Sequence, residues 1–173
     1  MSIRPRRHPK RARDLALQEI AVSRGLPVSG VERVGAIPIY RRSWHNVPND
    51  SKLTGSLTGW RFLLVDASTG TGWAADVGYT RGRRPTLLRI YGPKKVSSVL
   101  AASRTAEKQL RDSRYHYHPR ILRMYGRVSE VLWLHCKAKP PHDRFVTFDS
   151  RKPSRTCQIA HEIAGNQWVD SPS

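Results

Sequence analysis

Residues 60–77 run Trp60-Arg61-Phe62-Leu63-Leu64-Val65-Asp66-Ala67-Ser68-Thr69-Gly70-Thr71-Gly72-Trp73-Ala74-Ala75-Asp76-Val77. Two runs rich in aromatic, aliphatic and small residues flank Asp66–Gly72, which is built from Asp, Ser, Thr and Gly. Such a pattern predicts strands over 60–65 and 73–77 joined as a hairpin. The Gly70-x-Gly72 pair has no third glycine and no following helix, so it is not a dinucleotide fingerprint.

Outward from the hairpin, further strand-like runs cover 34–42, 86–91, 119–125, 128–136 and 144–149. Residues 43–59, rich in Asn, Ser, Thr, Gly and Pro, read as a long loop. Asp14 is placed to cap a helix over 14–24 that Gly25 ends, and Pro27, Ser29 and Gly30 make a loop after it. Ser97 is placed to cap a helix over 97–111, and Ser154 one over 154–164 stopped by Gly165. In the middle helix Val99, Ala102, Ala106 and Leu110 recur at helical spacing, with Arg104, Lys108 and Arg111 on roughly the opposite face. Runs of strands closed by helices predict an α+β fold. The expected sheet is mostly antiparallel, of about six or seven strands, with two or three helices packed on it. Residues 1–13, with Pro5 and Pro9, read as a disordered basic arm, and 14–173 as a single α+β domain.

The chain has 173 residues, 31 Lys+Arg against 13 Asp+Glu, and a formal charge of +18. Its apolar content excludes a wholly disordered basic tail, and its length removes any need for disulfides to hold a core. No window approaches the roughly 18 uninterrupted apolar residues of a membrane span. Two cysteines, Cys136 and Cys157, are too few for a disulfide framework and read as thiols of a reducing cytoplasm. Residues 1–42 carry net +7 and residues 81–128 net +11, while 43–80 are near neutral. The excess thus belongs to two segments, as a binding surface requires. Arg outnumbers Lys by 23 to 8, and the guanidinium fork suits phosphate and base stacking.

Leu87-Leu88-Arg89-Ile90-Tyr91-Gly92 is echoed by Ile121-Leu122-Arg123-Met124-Tyr125-Gly126. Alternation along a strand places Leu88 and Ile90 on one face and Arg89 and Tyr91 on the other. Leu122 and Met124 likewise oppose Arg123 and Tyr125. With the apolar pairs under a helix, the far sheet face displays Arg and Tyr, a platform for stacking bases and neutralising phosphates. The first functional expectation is therefore a non-enzymatic, nucleic-acid-associated protein needing no cofactor. Its interface comprises Arg4, Arg6, Arg7, Lys10, Arg11 and Arg13 of the arm, and Arg81, Arg83 and Arg84 of a loop. Arg89, Tyr91, Lys94, Lys95, Arg123 and Tyr125 complete it. Nucleic acid, DNA or RNA, is the expected partner; no recognition helix is evident, so weak sequence specificity is expected.

A second reading is a protein–protein module, an adaptor, inhibitor or assembly component, whose basic surface meets an acidic partner. A third is a metal-dependent, nuclease-like enzyme. In Tyr115-His116-Tyr117-His118 the two histidines share one side of an extended strand. This stretch resembles the His-x-His metal pair of endonucleases that nick single strands with a catalytic tyrosine. Pro119 and a strand follow it here, where the resemblance calls for a helix with spaced Tyr and Lys. Cys136, His142, Cys157 and His161 form a weaker metal set, with Cys157 and His161 at i, i+4. It lacks a Cys-x-x-Cys half, and burial of both thiols as small apolar groups is the plainer reading.

Overall fold

The computed structural model describes residues 9–42, 55–80, 84–124, 130–136 and 143–148. Two helices, α1 (Lys10–Arg24) and α2 (Pro93–Gln109), accompany seven strands. These are β1 (Val31–Arg42), β2 (Ser56–Asp66), β3 (Gly72–Tyr79), β4 (Pro85–Tyr91), β5 (Tyr117–Met124), β6 (Glu130–Cys136) and β7 (Arg144–Thr147). The strands form one sheet in the order β4-β3-β2-β1-β5-β6-β7, with the β2–β3, β3–β4, β5–β6 and β6–β7 pairs antiparallel. The chain is an α+β protein, as the strand and helix runs predict. The chain divides into two compact units, one of residues 6–39 and 58–98, the other of 1–5, 40–57 and 99–173.

In the first unit the hairpin of residues 60–77 forms as predicted, with Trp60 opposite Val77 and Leu64 opposite Trp73. Its turn is organised by Asp66. The carboxylate accepts from the Ser68 amide at 2.9 Å, the Ser68 hydroxyl at 2.7 Å and the Thr69 hydroxyl at 2.8 Å. These donors favour the ionised form and hold the Asp66 carboxyl below its ordinary value. Gly70 takes φ 68°, a conformation glycine adopts without a Cβ clash. At the other end of the hairpin a Cβ on Gly59 would collide with the Val77 carbonyl oxygen, so only glycine fits there.

Alternation sends Trp60, Phe62, Leu64, Ala75 and Val77 to one face, where Ala12, Ala16 and Ile20 of α1 pack against them. The alanines let the helix lie close over β3 and β4. Helix α1 begins four residues before its expected start. Pro9 stands at the N-cap without a side-chain cap, and Asp14 instead pairs with Arg13 at 2.6 Å. Proline has the φ that a helix entry needs, so the helix starts directly after it and takes Lys10, Arg11 and Arg13 from the expected arm. The helix ends as predicted at Gly25, φ 64°, with the Leu26 amide bonded back to the Ala21 carbonyl. Residues 28–30 form a single 3-10 turn.

Strand β4 departs from simple alternation. Arg89 pairs with Asp76 and Leu87 with Val77, so Leu88 is an extra residue in the ladder. A bulge turns two successive side chains to the same side. Leu87 and Ile90 therefore pack on the α1 core. Leu88, 54% exposed, lies against Gly78 on the other face. The expected pairing of Leu88 with Ile90 is corrected by this inserted residue.

In the second unit Ala102 and Ala106 of α2, with Leu110 just past its end, pack on Tyr117, Leu132, Leu134, Cys136 and Val146, as the helical spacing predicts. Arg104, Lys108 and Arg111 are exposed. The helix starts at Pro93, not at Ser97, since proline is favoured in the first turn. The strand expectations at 119–125, 128–136 and 144–149 are met by β5, β6 and β7 within their described residues. The expected helix over 154–164 lies outside the described residues.

Candidate nucleic-acid interface

Arg61 and Asp76 face each other across β2 and β3, on the side away from α1. Both are buried, with Nε to Oδ1 at 2.7 Å and Nη2 to Oδ2 at 2.9 Å. The Tyr91 hydroxyl donates to Asp76 Oδ2 at 3.0 Å. Around the Tyr91 ring stand the Arg61 guanidinium at 4.6 Å, that of Arg89 at 5.2 Å and the Lys95 ammonium at 5.8 Å. Such cation–π placement satisfies the ring and the charges together. Tyr91 is therefore half-buried and engaged within the unit, at a position where the sequence leads one to expect an open stacking surface.

Arg123 departs from the platform as well. It forms an ion pair with Glu130, its neighbour across β5 and β6, at 2.7 Å. Ile121 and Leu122 are both fully buried, so neither face of β5 is open there. Strands β4 and β5 also fall in different units and are not neighbours in the sheet order. Tyr125, Arg81, Arg83, Arg4, Arg6 and Arg7 lie outside the described residues.

What the first unit does bring together is a set of cations along the edge strand. Arg84, at the start of β4, and Arg89 and Lys94, at and beyond its end, are exposed. They have no carboxylate partner among the described residues. The Arg84 carbonyl accepts from the Thr80 amide at 3.1 Å, holding the ends of β3 and β4 together. Helix α1 adds to this end of the unit. Its last turn lies at the start of β3, where the Arg24 guanidinium sits 3.9 Å from the Trp73 ring centroid. The chain beyond α1 docks on the hairpin turn through the Ala67 amide to the Gly30 carbonyl at 2.9 Å. The helix, about 22 Å long, packs on β3 and β4. Lys10 and Arg11 are exposed on its first turn. Neither helix has an acidic residue in its first turn. Each begins with cations where the helix dipole favours anions.

Sequence reasoning passed over Tyr79. It ends β3 opposite Pro85 and is 39% exposed, its phenol pushed up by partial burial. Its signal was an aromatic residue two positions before the Arg81–Arg84 run.

Several polar groups of the second unit serve structure. Asp143, buried, accepts from Trp133 Nε1 at 2.8 Å and from the Cys136 amide at 2.7 Å, with His135 Nδ1 at 3.2 Å. Arg120 lies between the rings of Tyr40 and Trp133, at 4.5 and 4.7 Å. Cys136 is a buried thiol in the α2 core, while His142, Cys157 and His161 lie outside the described residues. His116 is exposed and precedes β5, whereas His118 stands on β5 opposite His135, so the His-x-His pair does not share a strand. No group of three or more His, Cys, Asp or Glu residues suited to a metal occurs among the described residues. No helix among them is long and apolar enough to cross a membrane. No protein-family model, curated protein or solved structure matches the chain.

Proposed function

We propose that the chain is a nucleic-acid-associated binding protein without catalytic chemistry. Phosphate contacts along the β4 edge and at the first turn of α1 supply its affinity. The observation that carries this reading is how charge is distributed. Asp76, Glu130 and Asp143 are held by partners inside their units. Lys10, Arg11, Arg84, Arg89 and Lys94 stand exposed in one unit with no carboxylate partner among the described residues. Cations at both helix starts also work against the helix dipoles, a stability penalty that anion binding accounts for. The basic residues at 4, 6, 7, 81 and 83 adjoin the same segments in sequence. The contacts are to the phosphate backbone, so specificity is low.

Fluorescence anisotropy with a labelled oligonucleotide tests this reading. Arg84→Ala and Arg89→Ala weaken binding together with its salt dependence, because each lost phosphate contact removes about one counterion from the slope. Unchanged affinity and slope in the double variant reject the surface. Failure to bind any nucleic acid, with capture of an acidic protein instead, selects the second reading.

A further inference from the structure

We infer that the interface takes single-stranded nucleic acid, and that Tyr79 is the side chain on which a base stacks. This inference rests on the proposed function and adds the substrate class and the residue that selects it. Phosphates are common to duplexes and single strands, so the cations alone do not choose between them. An accessible aromatic face does, because only unpaired bases can splay onto it.

Aromatic rings are exposed very unequally here. Among the described residues Tyr79 is the one aromatic residue that counts as an exposed large hydrophobic, at 39%. The rings of Trp60, Phe62, Trp133, Tyr40, Tyr117 and Phe145 are buried. Trp73 carries the Arg24 guanidinium on its ring, and Tyr91 is surrounded by three cations. Tyr79 has no hydrogen bond or ring contact among the described residues.

Its location matches the phosphate sites. Thr80, the next residue, is bonded through its amide to the Arg84 carbonyl, and Tyr79 pairs with Pro85, so the Arg84 backbone adjoins the end of β3. Lys10 and Arg11 are exposed on the first turn of α1, in the same unit. A tyrosine phenol is neutral at physiological pH and partial burial pushes that of Tyr79 further up, so the ring does not repel phosphate. An exposed ring at a strand end, in the same unit as exposed cations, supplies the parts that a stacking platform combines.

The test compares a 12-nucleotide single strand with the corresponding duplex, using wild type, Tyr79→Leu and Tyr79→Phe. Leucine keeps apolar bulk at the strand end and removes the π face, while phenylalanine keeps the face. Tyr79→Leu is expected to weaken single-strand binding by roughly 5- to 150-fold with its salt slope unchanged, the range for losing one stacked base. Tyr79→Phe stays within about twofold of wild type, and circular dichroism reports the same fold for all three. Wild-type affinity in Tyr79→Leu, or a duplex bound more tightly than the single strand, overturns the inference while leaving salt-dependent binding intact. Absence of binding to either nucleic acid overturns the proposed function as well.

Discussion

Asp76 carries more of the first unit's order than any other acidic side chain there. Two Arg61 nitrogens and the Tyr91 hydroxyl occupy its two oxygens in a buried setting. Breaking such a pair leaves a buried charge without a partner, so Arg61→Met destabilises the protein by about 3–5 kcal/mol. The joint change Arg61→Met with Asp76→Leu recovers most of that loss, which urea denaturation of the single and double variants measures. Asp66 gives a pH prediction. Its carboxyl is held below the ordinary 3.8 by Ser68 and Thr69. A lowered folded-state value means stability that is full above 3.8 and is lost as pH falls below it. Asp66→Ala therefore shows a flatter fall of thermal midpoint on acidification than wild type. An equally steep fall removes the turn from this account. Tyr79 and Tyr91 differ at the same scale. Both are tyrosines on strands beside arginines, and the sequence holds nothing to separate them. Only the packing of Arg61, Arg89 and Lys95 around one ring does so.

At the scale of elements, each helix start joins stability to binding. The first turn of α2 holds Lys94 and Lys95 and no acidic residue. Lys94→Glu reverses an unfavourable dipole contact and raises stability by about 0.3–1 kcal/mol. The same change weakens oligonucleotide binding, and opposite shifts in melting midpoint and affinity are the expected result. For α1 the boundary at Lys10 decides where a truncation is safe. Removing residues 1–8 takes Arg4, Arg6 and Arg7 and leaves the helix whole. That variant keeps its melting midpoint and loses about two units of salt slope. Removing residues 1–13 also deletes the first turn of α1 with Ala12, which is buried against the sheet, and lowers the midpoint. The hairpin of residues 60–77 was legible in the sequence because strand period and glycine-rich turn chemistry agree there. The α2 core face was legible from Val99, Ala102, Ala106 and Leu110. The bulge at Leu88 was not, since one inserted residue leaves no mark in composition yet changes the face of everything before it. The helix starts were misplaced because Ser and Asp are strong caps only where no proline has already set the entry.

For the whole molecule, the charge of +18 acquires a location. Asp76, Glu130 and Asp143 are paired inside their units, while Lys10, Arg11, Arg84, Arg89 and Lys94 stand exposed in the unit of residues 6–39 and 58–98. The sequence correctly assigned the excess to two segments. It did not foresee that the echoing strands β4 and β5 would fall in different units, because strand order depends on long-range pairing. The central claim is that exposed cations of one unit bind phosphates. The most direct measurement is the affinity of the unaltered chain for a 12-nucleotide single strand across sodium chloride concentrations. Five exposed cations, Lys10, Arg11, Arg84, Arg89 and Lys94, predict log affinity falling linearly with log salt at a slope of about −3 or steeper. A flat line, with weak affinity at low and moderate salt alike, contradicts it.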